Sequence, residues 1–285
     1  MKSILTFAAL SMASLLGAGN ASAYSIYGDS AGSNALSTID STTGAETQRF
    51  SPGKGNGRGM VVVGNVMYYT VVGDSHIWEV DKTTGIALGS IQTQNASMST
   101  IAFDGTYFWT ADYSGTNKAF KIDPTTGMNV STITLANASN SMDGLEYFNG
   151  KLIGNRCDAC GIYDIYDLNG NVLQSSFIDT KTNSTGIAFD GTNFLVSNVY
   201  AGTIGVYSGT TGGFLSTLTL IPKTPGGGGF LIEDLSVDYG ARADTCGGVG
   251  QPPCNVPGVP EPQSYAMMLA GLGVLGYMAR RRKQG

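Results

Sequence analysis

Pairs of apolar residues two positions apart return along the chain every forty-odd residues: Val61/Val63, Ile101/Phe103, Leu145/Tyr147, Ile187/Phe189 and Leu235/Val237. Period-two alternation predicts a strand. The residue inside the pair is small in four cases (Val62, Ala102, Ala188, Ser236), which suits strands crowded against their own equivalents. The fifth is Glu146. A turn keeps the same beat. Asp40-Ser-Thr-Thr-Gly44 returns as Asp81-Lys-Thr-Thr-Gly85 and Asp123-Pro-Thr-Thr-Gly127, then shortened as Asp167-Leu-Asn-Gly170 and varied as Ser208-Gly-Thr-Thr-Gly212. The closing glycines lie 41, 42, 43 and 42 residues apart. Asp caps backbone amides in such a turn, and Gly supplies the positive φ.

An apolar residue precedes each turn (Ile39, Val80, Ile122, Tyr166, Tyr207), and an apolar-containing run follows it, as in Ile86–Ile91, Met128–Leu135 and Phe214–Leu220. Each period then reads as four antiparallel strands, clearest between residues 185 and 220. Four strands per 40–45 residues is a propeller blade. The first period lacks its first strand, and the last period has only that strand. The predicted fold is therefore all-β: a β-propeller of about five four-stranded blades, closed by N- and C-terminal strands that share one sheet. Closure hides the sheet edges. A sixth blade would need a period that is not visible; a sandwich or an open stack of sheets are the runner-up folds. No WD or kelch signature occurs, and no helix is evident in the body.

Composition sharpens this picture. Glycine accounts for 41 of 285 residues and charged residues for only 13%, about twice and half their usual shares. Without a Gly-X-Y period, that glycine belongs to turns. Residues 24–260 carry eleven basic and twenty acidic residues, an excess that argues against nucleic acid and is compatible with cations or neutral glycans.

The two ends are unlike the body. Residues 1–23 read as a secretory signal: Lys2, an apolar run from Ile4 to Leu16, then Ala21-Ser22-Ala23. A body at 24–240 is followed by a Gly/Pro-rich linker at 241–258. The region 259–285 begins with Val259-Pro260-Glu261-Pro262, continues through the apolar stretch 265–279, which predicts a membrane helix, and ends in Arg280-Arg281-Arg282-Lys283. The prolines keep the tetrapeptide extended and accessible. The basic cluster is expected to stay cytoplasmic. This three-part tail resembles the PEP-CTERM sorting signal of Gram-negative bacteria. The resemblance covers the tail and nothing of the body. It implies an exosortase-type membrane peptidase as partner, transient anchoring in the inner membrane, and delivery to the cell surface or extracellular matrix. It also implies an association with exopolysaccharide and biofilm.

Candidate chemistry is sparse. His76 is the only histidine and reads as a blade-edge loop residue. No phosphate loop or dinucleotide fingerprint stands in a strand–helix context. Four cysteines in an exported chain favour disulfides. Cys157 and Cys160 lie in a hairpin loop, and Cys246 and Cys254 bracket a later Gly/Pro loop. A four-cysteine zinc site, or free or cross-paired thiols, are the alternatives. Residues just before each first strand should line the channel mouth: Arg58, Ser99, Asp143, Thr185, Glu233 and Asp234, with Glu146 inside its strand. Asp143, Glu146, Glu233 and Asp234 are a possible Ca²⁺ ring. Otherwise they are solvated loop carboxylates, with Glu146 paired to Arg58 or to water. Tyr68, Tyr69, Tyr107, Trp109 and Tyr113 read as core packing in preference to a sugar-stacking surface. The segment Pro222–Gly229 reads as a flexible insertion. Together these features predict a non-enzymatic surface or biofilm-matrix module, with exopolysaccharide as the expected ligand. The competing expectation is a metal-dependent propeller enzyme, a lactonase or a polysaccharide-cleaving type, that uses the channel carboxylates.

Overall fold

The computed structural model describes residues 23–33, 35–113, 115–139, 141–157, 160–223 and 231–239. The signal up to residue 22, the linker, the apolar tail, Cys246, Cys254 and most of the 222–229 insertion lie outside them.

Among the described residues the fold is all-β. Blade 1 contains β1 (Ser25–Ser30), β2 (Leu36–Asp40) and β3 (Glu46–Phe50). Blade 2 runs through β4 (Gly57–Val63), β5 (Val66–Val71), β6 (His76–Asp81) and β7 (Ala87–Gln92). Blade 3 has β8 (Met98–Phe103), β9 (Phe108–Asp112), β10 (Lys118–Ile122) and β11 (Asn129–Thr134). Blade 4 has β12 (Leu145–Phe148), β13 (Lys151–Asn155), β14 (Ile162–Tyr166) and β15 (Val172–Asp179). Blade 5 has β16 (Ile187–Phe189), β17 (Asn193–Asn198), β18 (Thr203–Ser208) and β19 (Phe214–Thr219). The last strand, β20 (Ile232–Val237), returns to blade 1 and pairs with β1, giving the order β20-β1-β2-β3. The register sets Ile26 opposite Val237 and Asp29 opposite Asp234. The expected five-bladed ring and its shared closing sheet are thus both present.

The core lies between blades. Five buried clusters form, each spanning one pair of neighbouring blades. Trp109, Ala111 and Leu135 of blade 3, for example, pack on Leu145, Leu152 and Tyr166 of blade 4. A sheet with two apolar faces must cover both, and a ring of sheets does so without an end. The inner strands β4, β8, β12, β16 and β20 are almost wholly buried, whereas the outer strands β7, β11 and β19 are largely exposed.

Inner-strand edges point into a narrow channel, so their amides need partners. Side chains of the neighbouring inner strand supply them. The amides of Met60, Val62 and Gly64 donate to Asp234, Ser236 and Asp238 at 3.2, 3.0 and 3.2 Å. This ladder fastens the closing blade to blade 2.

The repeated turn has a second job. Gly127 has φ +69°, and a Cβ there would lie 1.9 Å from the carbonyl oxygen of Gln92, on the outer strand of the preceding blade. Gly44, Gly170 and Gly212 meet Thr219, Thr134 and Phe177 carbonyls in the same way. The turn glycine is therefore a clasp between blades as well as a bend within one.

Candidate functional site

At the upper face Arg58, Ser99, Glu233 and Asp234 lie among the first residues of β4, β8 and β20, and Asp143 and Thr185 lie in the loops two residues before β12 and β16. Arg58 and Glu233 are 175 residues apart, yet the guanidinium Nη1 donates to Glu233 Oε1 at 2.7 Å. The same nitrogen lies 3.8 Å from Asp143 Oδ1, and the guanidinium stacks 4.6 Å above the Tyr113 ring. These groups are not solvated: Asp143 is 0% and Glu233 5% exposed. One cation thus bridges two buried carboxyl groups and lies over the ring beside them.

Asp234 lies beneath this lid. Its Oδ2 accepts from Thr100 Oγ1 at 2.8 Å as well as from the Met60 amide, and its Oδ1 accepts from the Leu235 amide. Burial nevertheless raises its pKa well above the ordinary carboxyl value, outweighing those bonds. Asp29, across the register from Asp234, is fully buried against Gly57, where a Cβ would lie 1.9 Å from its Oδ1. Neither of its oxygens has a well-formed hydrogen bond. Desolvation first, then the neighbouring Asp234 and Glu233, raises its pKa well above the usual range, while the Ser30 and Arg58 amides oppose the shift. In both aspartates burial favours the neutral acid over the carboxylate. Asp29 was not evident in the sequence, because it comes from the opposite end of the chain. Its one signal was a carboxyl group inside the apolar run Ile26–Ser30.

Glu146 lies apart, further along the channel. It accepts from the amides of Tyr147 and Phe189 at 2.7 and 3.2 Å and from the Tyr239 hydroxyl. Tyr239 is 3% exposed and packs among Val61, Met98, Ile101 and Phe108. Ser99 and Thr185 are tied to backbone carbonyls, Thr185 to that of Glu233 at 2.7 Å. Among the described residues, no three His, Cys, Asp or Glu side chains converge closely enough to hold a metal ion.

The remaining candidates are dispersed. His76 opens β6, its Nδ1 2.7 Å from Asp74, and stacks near Trp78. Tyr69 and Trp109 are each 1% exposed, and Tyr68 packs on Phe108, so these aromatics belong to the core. Cys157 and Cys160 form a disulfide in the β13–β14 connection.

Against this geometry, the tail can be read together with known proteins. Its residues 258–283 match the PEP-CTERM protein-sorting motif. The chain carries this motif. The motif implies processing by an exosortase, a membrane protein, and export with transient membrane anchoring before surface or extracellular release. Among the described residues no helix is long and apolar enough to cross a membrane, and the apolar stretch 265–279 lies outside them.

No curated protein matches the chain. Solved structures match the body at low identity. A chain of a nidogen/laminin complex is 12% identical, with a TM-score of 0.52 over 75% of this chain and 97% of that one. The glutaminyl cyclase of Myxococcus xanthus is 12% identical, with a TM-score of 0.49 over 62% of this chain and 87% of that one. The computationally designed Ika4 protein is 13% identical, with a TM-score of 0.38 over 60% and 96%. The first of these supports the fold, and nothing more.

Proposed function

We propose that the chain is an exosortase-processed protein of the surface or biofilm matrix of a Gram-negative bacterium, and that its propeller is a non-enzymatic interaction module for exopolysaccharide. The observation that carries the reading is the sorting motif on a ring whose mouth carboxyl groups are buried, Asp143 and Glu233 beside Arg58 and Glu146 against Tyr239. Their burial leaves the outer surface for recognition. Fold alone does not choose a function. Replacing Pro260-Glu261-Pro262 with alanines tests the sorting half: the protein is expected to stay in the inner-membrane fraction and vanish from surface and matrix fractions. Unchanged delivery would overturn it.

One observation favours a second reading. Two buried carboxyl groups with raised pKa values beside an arginine are an arrangement that active sites use. A metal-dependent enzyme, a lactonase or polysaccharide-cleaving type with Ca²⁺ on Asp143, Glu146, Glu233 and Asp234, would need Arg58 to swing out and Glu146 to leave Tyr239. Ca²⁺-dependent turnover lost in Asp143→Ala would favour the enzyme, and glycan retention without turnover favours the module.

A further inference from the structure

The blades are not equivalent on their faces. Two residues before the apolar residue that precedes each turn, the third strand carries Ser37, Trp78, Phe120, Asp164 and Gly205 in blades 1 to 5. In blades 1, 2 and 4 the side chain at this position is held by a polar partner. Trp78 donates to Asp74 at 2.9 Å, Asp164 pairs with Arg156, and Ser37 bonds Glu46. In blade 3 a hollow of about 200 Å³ remains beside Phe120. In blade 5 the glycine leaves a cleft of about 350 Å³ at the equivalent place, between the blade face and the end of β15. That volume falls at the lower end of the range for small-molecule sites.

The lining of this cleft is specific. Tyr207 lies over Gly205, so close that a Cβ there would meet its ring at 2.7 Å. Phe214 stands edge-on to Tyr207 at 5.6 Å and is 61% exposed, an aromatic face open to solvent. Asp179 and Lys181 pair at one side, and serine and threonine hydroxyls, Thr217 among them, complete the rim. Apolar ring faces beside hydroxyls suit the C–H face and the hydroxyl groups of a sugar. The single carboxylate and single ammonium cancel, so nothing there selects an anion.

We propose that the blade 5 cleft is a saccharide subsite that takes a neutral pyranose, its C–H face on Phe214, which stands edge-on to the buried Tyr207, and its hydroxyls on the Asp179–Lys181 side. This rests on the exopolysaccharide reading above and locates it.

The test uses the protein purified from the producing cells. It is titrated calorimetrically with methyl glucoside, methyl galactoside, methyl mannoside and N-acetylglucosamine, and separately cosedimented with the cells' own exopolysaccharide. At least one sugar is expected to bind. Phe214→Ala, at an exposed position, should weaken it about tenfold through loss of the stacked ring. Gly205→Phe should abolish it, because the added side chain meets the Tyr207 ring and must displace it into the cleft. Ile86→Ala, an exposed apolar residue on blade 2, should change nothing. Unaltered sugar binding in Phe214→Ala overturns the subsite, as does a wild-type protein that binds none of the four. If the polysaccharide still cosediments in those cases, the matrix reading survives and only the subsite fails. If sugars bind in the cleft but the polysaccharide does not cosediment, the reverse holds.

Discussion

Replacing Gly127 with alanine isolates the inter-blade clasp, because Gly64 provides a matched control. Both glycines have positive φ, +69° and +60°. An L-residue in that region costs about 1–2 kcal/mol. Around Gly64 nothing lies within 4 Å, so Gly64→Ala carries only that cost. At Gly127 the added Cβ meets Gln92 O at 1.9 Å, where contacts under 3.0 Å force a shift. The obstruction is backbone on a paired strand, so blades 2 and 3 must part by about 1 Å, a gap that forfeits a quarter to a half of each dispersion contact across it. Overpacking of this kind costs a further ~1–3 kcal/mol. Urea unfolding should therefore place Gly127→Ala about 1–3 kcal/mol below Gly64→Ala, and thermal scans about 3–10 °C below it for a body of this size. Equal losses in the two variants would refute the clasp and leave the turn glycines with a local role only.

Three other perturbations probe the channel and the staple. Arg58→Met removes the cation that bridges Glu233 and Asp143, whose side chains are 7% and 1% exposed, and should cost about 3–5 kcal/mol in urea unfolding, as when one partner of a buried ion pair is removed. Adding Glu233→Gln and Asp143→Asn to that variant should recover most of the loss. Asp29 and Asp234 have raised pKa values, so the folded state holds protons that the unfolded chain releases above about pH 4. Their contribution is thus full at acid pH and declines as pH rises toward the folded pKa, by up to about 1.4 kcal/mol per pH unit for each proton held. Asp29→Asn should flatten that decline and stabilise the protein at neutral pH, as read from melting against pH. Removing the Cys157–Cys160 disulfide closes no long loop, so Cys157→Ser/Cys160→Ser should cost about 2 kcal/mol, measured by thermal unfolding with and without reductant.

Much of the architecture is legible in the chain because a propeller is a repeat and its turn is chemically demanding. Asp123 and Gly127 must be Asp and Gly for reasons internal to the turn, so their spacing announces the blades. The complementary half-blades at the two ends announced the closure of β20 on β1. The mouth residues Arg58, Asp143 and Glu233 were also legible, since each stands two or three residues before the apolar pair of an inner strand. What they do to each other was not. The strand pattern tells which end of the ring a residue occupies, but not which neighbour across the channel it meets, so the Arg58 bridge had no signal. Asp29 was hidden because it reaches the site from the second strand of its blade. Glu146 drew attention as a carboxylate among small residues, but its hydroxyl partner Tyr239 follows the last strand, beyond the repeat. The cleft beside Gly205 needed the blades superposed, since a lone glycine in a strand says nothing until its equivalents are Trp78 and Phe120.

Delivery to the surface or matrix depends on the sorting motif being used. Intact-mass analysis of the native protein from surface and secreted fractions measures this directly. The expected mature chain begins at Tyr24 and ends near Pro262, with the apolar stretch and basic cluster gone. A chain recovered from the inner membrane and still ending at Gly285 would contradict it.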